Sequence, residues 1–198
     1  EGHLPRERDA VHHAVAAEGI AVGIVGLGGI GSHHATKLAE RGANLVGGMD
    51  VDADARARFH EEFGVPAYED EADLYDDCDA VFVTTPNRFH EEYATSALSA
   101  GLDVLLEKPL AHTLESAERI ADAAARAEGF CTVGFNNRFA EPVQVIRHYQ
   151  DEGRFGETTH VEANYVRRRG VPGRGSWFTS SEVAGGGALI DIGVHAID

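Results

Sequence analysis

The sequence predicts an α/β protein, a doubly wound parallel sheet followed by the start of an α+β domain. Three observations predict it. Apolar runs of strand length alternate with helical periodicity from residue 20 to about residue 135. The first apolar run enters a glycine-spaced turn, and the second ends on an acid, Asp50. Beyond 135 the alternation stops, and a longer segment of alternating polarity begins.

Residues 20–26 (Ile-Ala-Val-Gly-Ile-Val-Gly) read as the first strand, and Gly26-Leu-Gly28-Gly-Ile-Gly31 opens a helix over 29–41. This is the dinucleotide-binding fingerprint in its proper context. Gly26 permits the tight turn, Gly28 lets the backbone approach a pyrophosphate, and Gly31 lets the helix pack close to the strand. The free N–H groups and positive dipole end of the helix then face the phosphates. The second strand, 44–49, ends at Asp50, whose carboxylate suits both ribose hydroxyls of NAD and repels the 2′-phosphate of NADP. The next residue is Val51 rather than an arginine, so NAD is expected in preference to NADP.

Helical periodicity over 52–63 begins with Asp52 and Asp54, acids that suit the helix dipole. Residues 69–75 read as a short helix or turn. Strands over 80–85 and 102–107 are stopped by Pro86 and Pro109, which cannot donate to a ladder. Helices over 88–100 and 113–127 and a strand over 130–134 complete a right-handed, parallel arrangement. A helix over 138–150 follows, then a strand over 157–168, a loop with Trp177, and a helix opening at Gly185-Gly-Gly187 and running to Asp198. A lone strand with a helix cannot make a stable sheet, so the second domain is read as incomplete.

Composition bounds the function. The chain has 198 residues and a formal charge of −16, which argues against nucleic acid and anionic membrane as partners. No apolar run reaches membrane-spanning length, and residues 1–19 lack a signal-peptide pattern. Two cysteines, Cys78 and Cys131, make no disulfide framework, and a cytoplasmic protein is expected. Acids are dispersed, and Lys37 and Lys108 are the sole lysines. That pattern resembles adaptation to high salt, where self-repulsion is screened. The paired His12 and His13 point apart on a helix and read as a solvated face.

Ligands of a doubly wound sheet sit beyond the carboxyl ends of its strands. Thr84-Thr85-Pro86-Asn87 and Glu107-Lys108-Pro109 fall there. Lys108 stands out in a chain that otherwise uses arginine, because an ammonium is a compact donor with a tunable pKa. Asp191 and His195 are one helical turn apart, and an acid with an imidazole makes a proton-handling pair. No cysteine or further histidine stands near Asp191, His195 and Asp198, so no metal is assigned.

Together these clusters resemble the Gfo/Idh/MocA oxidoreductase family. The resemblance rests on Gly26 to Gly31, on Thr85-Pro-Asn87 with His90, and on Ala100-Gly101 with Val104-Leu-Leu-Glu-Lys-Pro109. It also rests on Gly134-Phe-Asn-Asn-Arg-Phe139 and on Gly186-Gly-x-Leu-x-Asp-x-Gly-x-His195. It spans about residues 20–198 and implies a Rossmann domain followed by an α+β domain that holds a sugar or polyol. The implied cofactor site comprises Gly26, Gly28, Gly29, Ile30, Gly31, Asp50, Thr85, Pro86, Asn87, His90, Glu107, Lys108 and Arg138, with Trp177 as a further candidate. The bond before Pro109 is expected to be cis, the one place where cis is cheap.

The division read from the sequence is an extension over 1–19, a dinucleotide domain over 20–137 and an incomplete substrate domain over 138–198. The expected reaction is NAD-dependent oxidation of a secondary alcohol of a sugar, polyol or related compound, in a homo-oligomer when full length. His195 is read as general base, Asp191 as its orienting partner and a substrate ligand, and Lys108 as electrostatic support for the alkoxide. The roles of Lys108 and His195 are open to exchange. A non-catalytic dinucleotide sensor on the same scaffold and an inactive fragment are the alternative classes.

Overall fold

The computed structural model describes residues 19–166, 168, 172, 173 and 175–198. The extension with His12 and His13 therefore lies outside the described residues, except for Gly19. Six parallel strands form one sheet in the order β3-β2-β1-β4-β5-β6. They are β1 (Ala21–Val25), β2 (Asn44–Met49), β3 (Ala67–Tyr68), β4 (Ala80–Val83), β5 (Asp103–Leu106) and β6 (Cys131–Val133). Strand order reverses between β1 and β4, which opens a crevice at their carboxyl ends.

The crossovers are α1 (Gly29–Glu40), α2 (Ala53–Phe63), α3 (Glu71–Tyr75), α4 (His90–Ser99) and α5 (Leu114–Arg126). Three of them start where a side chain caps the helix. Asp52 accepts from the Asp54 N–H at 2.9 Å, Asp70 from the Ala72 N–H at 2.9 Å, and Thr113 from the Ser116 N–H at 3.1 Å. Each such cap is worth about 1 kcal/mol.

Strand alternation sends side chains to two cores. Ile24 joins Leu27, Ala35, Ala55 and Phe59 under α1 and α2. Val25, Val81, Val83, Val104 and Leu106 join Leu74, Leu98 and Ile120 on the opposite face. Each of these fully buried aliphatics stabilises the fold by roughly 1.5–3 kcal/mol. The two-residue strand β3 escapes periodicity because it is too short to show alternation.

After β6 comes α6 (Glu141–Asp151). The strand expected over 157–168 is not formed across 157–166, which are exposed and irregular; residue 167 is outside the described residues. The alternation is present, but no described strand pairs with the segment, and an unpaired strand is not stable. The Gly185–Gly187 run follows the short α7 (Ser181–Ala184) and opens a helical run as expected, with the Gly187 carbonyl accepting from the Ile190 N–H at 3.0 Å. What differs is its geometry, a π-helical turn (Leu189–Gly193) that leads into α8 (Val194–Ile197). Gly185 has φ +82°, and a Cβ there would collide with the His112 carbonyl, so α7 ends against the loop after β5.

Candidate active site

The crevice is built first by the turn after β1. The Gly26 N–H donates to the Met49 carbonyl at 2.8 Å, which brings the ends of β1 and β2 together. Thr84 buttresses the turn, its Oγ1 donating to the Gly26 carbonyl at 2.6 Å. A Cβ on Gly31 would strike that same carbonyl and lie 2.9 Å from Thr84 Oγ1, so only glycine lets α1 approach this closely. Gly28 and Gly29 face open space instead, with nothing within 4 Å of an added Cβ. The first N–H groups of α1 have no intrahelical acceptor and are free for an anion.

Asp50 stands at the far end of this crevice. Its Oδ2 accepts from the Leu27 N–H at 2.7 Å and its Oδ1 from the Asp52 N–H at 2.9 Å, which fixes the carboxylate against the glycine turn. Arg56 is near but committed. Its Nη1 donates to the Asp50 carbonyl at 2.8 Å and the Val51 carbonyl at 3.1 Å, and its Nη2 to Glu69 at 3.3 Å.

Gly26, Gly28, Gly29, Ile30, Met49, Asp50, Thr85, Pro86, Trp177 and Phe178 line a cavity of about 640 Å³. Ile30, Thr85, Trp177 and Phe178 also line a second one of about 440 Å³, with Asn87, Glu107, Lys108, Asp191 and His195. Asp191, Ile192, His195 and Phe178 continue into a third, mostly apolar cavity of about 760 Å³. The three form one track: glycine turn, then lysine, then apolar chamber. Trp177 and Phe178 stack at 3.7 Å between ring centres over the junction.

Lys108 is the hinge of the track. Its peptide bond to Pro109 is cis. Its Nζ donates to Asp191 Oδ1 and to the Asp191 carbonyl, each at 2.9 Å. The Asp191 carboxylate thus turns to Lys108 and not to His195, a correction to the orienting role expected of it. The cause is the π-helical turn, which also presents the Asp191 carbonyl to the lysine. Among the described residues His195 Nδ1 is buried without a hydrogen-bond partner. Burial and the Lys108 charge hold the His195 pKa below its ordinary value. Its ring lies edge-on to Phe135 at 6.2 Å.

Two expected cofactor residues stand elsewhere. His90 is fully buried, and its ring nitrogens face the Thr85 and Pro109 carbonyls at 2.9 Å each. It stitches the loops after β4 and β5 together from behind and does not reach the crevice. Arg138 is drawn to Asp198, with its Nε 2.7 Å from Oδ2, and its guanidinium lies 5.7 Å from the Phe135 ring centre. It ties the end of α8 to the turn after β6. Asn87 lines the second cavity but is also a bridge, its Nδ2 donating to the Ala184 carbonyl at 2.8 Å. Thr84, at the strand end expected to face ligands, lines both the glycine-turn and the Lys108 cavities, whereas Met49 and Phe178 are lining residues that sequence reasoning missed. No three His, Cys, Asp or Glu side chains among the described residues group as metal ligands.

Residues 20–135 match the family model described as an oxidoreductase family with an NAD-binding Rossmann fold, and residues 143–198 match the GFO/IDH/MocA C-terminal domain. The chain belongs to the Gfo/Idh/MocA oxidoreductase family. Gfo/Idh/MocA relatives include D-glucoside 3-dehydrogenase of Escherichia coli (strain K12), 36% identical over 93% of this chain and 54% of that protein. Glucose-6-phosphate 3-dehydrogenase of Bacillus subtilis (strain 168) is 32% identical over 89% of this chain and 51% of that protein. A solved levoglucosan dehydrogenase, in complex with NADH and L-sorbose, superposes with a TM-score of 0.75 at 28% identity, over 90% of this chain and 51% of that one. The chain spans about half the length of the curated relatives it matches. The dinucleotide domain it carries is the family's NAD-binding Rossmann fold, and among the described residues no helix is long and apolar enough to cross a membrane.

Proposed function

We propose that this protein is an NAD-dependent dehydrogenase that oxidises a secondary alcohol of a sugar, polyol or related compound. The observation that carries the reading is the continuous track from the glycine turn and Asp50, past Lys108 and His195, into the apolar chamber. The residues fit the cofactor. Gly28 and Gly29 leave open space, the α1 N–H groups are free, and Thr85 Oγ1 is buried at the crevice without a partner among the described residues. Gly28, Gly29 and Ile30 would hold the pyrophosphate, Asp50 the ribose hydroxyls, and Thr85 with Pro86 the far half. Bound NAD supplies the hydride acceptor.

The chain's own residues supply the rest. His195 takes the hydroxyl proton, and its depressed pKa keeps it neutral, and therefore competent as a base, near neutral pH. Lys108 places its ammonium where negative charge develops on the alcohol oxygen. Asp191 holds that ammonium and lines the same cavity, where its carboxylate can accept from a second hydroxyl of the substrate. The stacked Trp177 and Phe178 and the apolar Leu189 and Ile192 give the C–H faces of a sugar ring a surface. The names of two relatives place their oxidation at C3, which makes pyranose C3 the first position to assay.

The family matches break between 135 and 143, which supports a dinucleotide domain over 20–137, a substrate domain beginning at 138 and an extension over 1–19. The exposed Phe139, Val145, Ile146 and Phe155 on and beside α6 support a covering layer or a second copy there, as in a homo-oligomer. The charge of −16 and near absence of lysine support adaptation to high salt, and the cysteine usage a cytoplasmic setting. The test is a panel of pyranoses and polyols with NAD, followed by NADH absorbance. Turnover that requires NAD and is abolished in His195→Asn supports the reading; no turnover of any secondary alcohol, with NADH bound, contradicts it.

A further inference from the structure

His34 lies on α1, one turn beyond Ile30, and no role in the reaction just proposed involves it directly. Its ring is held edge-on against Phe82 of β4, 5.3 Å between centres at 89°. From there its Nε2 reaches Glu107 Oε1 at 2.8 Å, with both side chains mostly buried. The other oxygen of that carboxylate, Oε2, accepts from the Lys108 backbone N–H at 3.1 Å. Burial pushes the Glu107 carboxyl up, but His34 and Lys108 outweigh it and hold the group below the usual carboxylate range.

We propose that His34 is a positioning residue for Lys108, acting through Glu107 to lock the lysine's backbone to the helix whose N-terminus faces the dinucleotide phosphates. The relay runs from α1 through His34 Nε2 and the two oxygens of Glu107 to the Lys108 peptide, and from Lys108 Nζ to Asp191. Its consequence is that the cofactor helix and the reacting ammonium share one rigid frame. A carboxylate is required at Glu107, because only an acceptor at both oxygens serves two N–H donors at once. The placing of the ammonium at the substrate oxygen rests on the dehydrogenase reading; the relay itself does not.

The chain's two lysines make the test direct. With ¹³C-labelled lysine, NMR gives separate Lys37 and Lys108 side-chain signals, and Lys37, exposed and paired with Glu40, marks the solvent-like position. His34→Leu is expected to move the Lys108 signal toward that position, His34→Gln to restore it through its amide donor, and Glu107→Gln to move it as His34→Leu does. NADH affinity, read by Trp177 fluorescence, is expected to stay unchanged, while turnover in His34→Leu falls about 10- to 100-fold, the scale of a misplaced reacting group. A Lys108 signal unmoved in Glu107→Gln and in a folded His34→Leu overturns the proposal. So does a His34→Leu effect that His34→Gln fails to restore, since volume would then be the cause. If His34→Leu does not fold, Glu107→Gln decides alone. Absence of turnover in the unmutated protein defeats the dehydrogenase reading, and the lysine signals still decide the relay.

Discussion

Lys108 Nζ donates to both the carbonyl and the carboxylate of Asp191 at 2.9 Å, across 83 residues of sequence. The contact joins the end of β5 to the π-helical turn before His195 and leaves both side chains mostly buried. An ion pair desolvated to this degree is costly to break on one side, because the remaining charge is left without a partner. The same contact makes the lysine's geometry, and not merely its charge, part of the site.

Lys108→Arg therefore tests geometry at constant charge. The planar guanidinium cannot place a compact ammonium at the Asp191 carbonyl and the substrate oxygen together. Turnover is expected to fall at least ~100-fold, the scale of one electrostatic or acid–base contribution. NADH affinity is expected to change little, as measured by fluorescence titration. Near-normal turnover would return Lys108 to a structural role.

Asp50→Ala tests cofactor choice. The carboxylate is pinned by two backbone N–H groups and lines the crevice. Its loss is expected to weaken NAD by roughly tenfold or more, as for a lost hydrogen bond to a charged group. Discrimination against NADP is expected to relax, although Arg56 is engaged with carbonyls and Glu69 and gains the phosphate little. Competitive titration with both dinucleotides measures the ratio; equal affinities in the unmutated chain would contradict the assignment.

The pH dependence follows from His195. Its folded pKa lies below the ordinary value, through burial first and the Lys108 charge second, with Glu107, Asp191 and Asp198 opposing. The neutral base thus persists as pH falls past the ordinary histidine value. Activity is lost only as pH passes through the lowered one, whereas the matching contribution to stability is lost earlier, from the ordinary value down to the lowered one, because the unfolded chain takes up the proton first. Removing the ammonium in Lys108→Met is expected to raise the His195 pKa, read from its imidazole proton signals. A shift in the opposite direction would contradict the electrostatic account.

Gly31→Ala tests the close approach of α1 to the glycine turn. Its Cβ would meet the Gly26 carbonyl, backbone that cannot swing aside. A stability loss of about 1–3 kcal/mol is expected from such overpacking. NADH affinity is expected to fall with it, because α1 must retreat from the crevice. Thermal unfolding and NADH titration together check both.

Much of this was legible in the sequence because it is local. The fingerprint, Asp50, the acids Asp52 and Asp54 at the start of a helix, and the alternation of strand and helix each sit within a few residues of what they determine. What was not legible depends on packing. His90 reads as a partner of the adjacent Thr85-Pro86-Asn87, yet the fold buries it between two loops. Arg138 reads as a cofactor contact, yet it meets Asp198. Asp191 and His195 share a helical face by spacing, but the π-helical turn sends the carboxylate to Lys108. The alternation over 157–168 signals a strand that requires ladder partners, and among the described residues none pairs with it.

Trp177 is the sole tryptophan and lines both the glycine-turn cavity and the Lys108 cavity. Titrating NADH while exciting this tryptophan therefore reports directly whether the dinucleotide lies along the proposed track. Saturable quenching with energy transfer to the nicotinamide at one NADH per chain, weaker for NADPH and lost in Trp177→Phe, is the predicted result. NADH binding that leaves Trp177 emission unchanged, or no binding at all, would contradict the account.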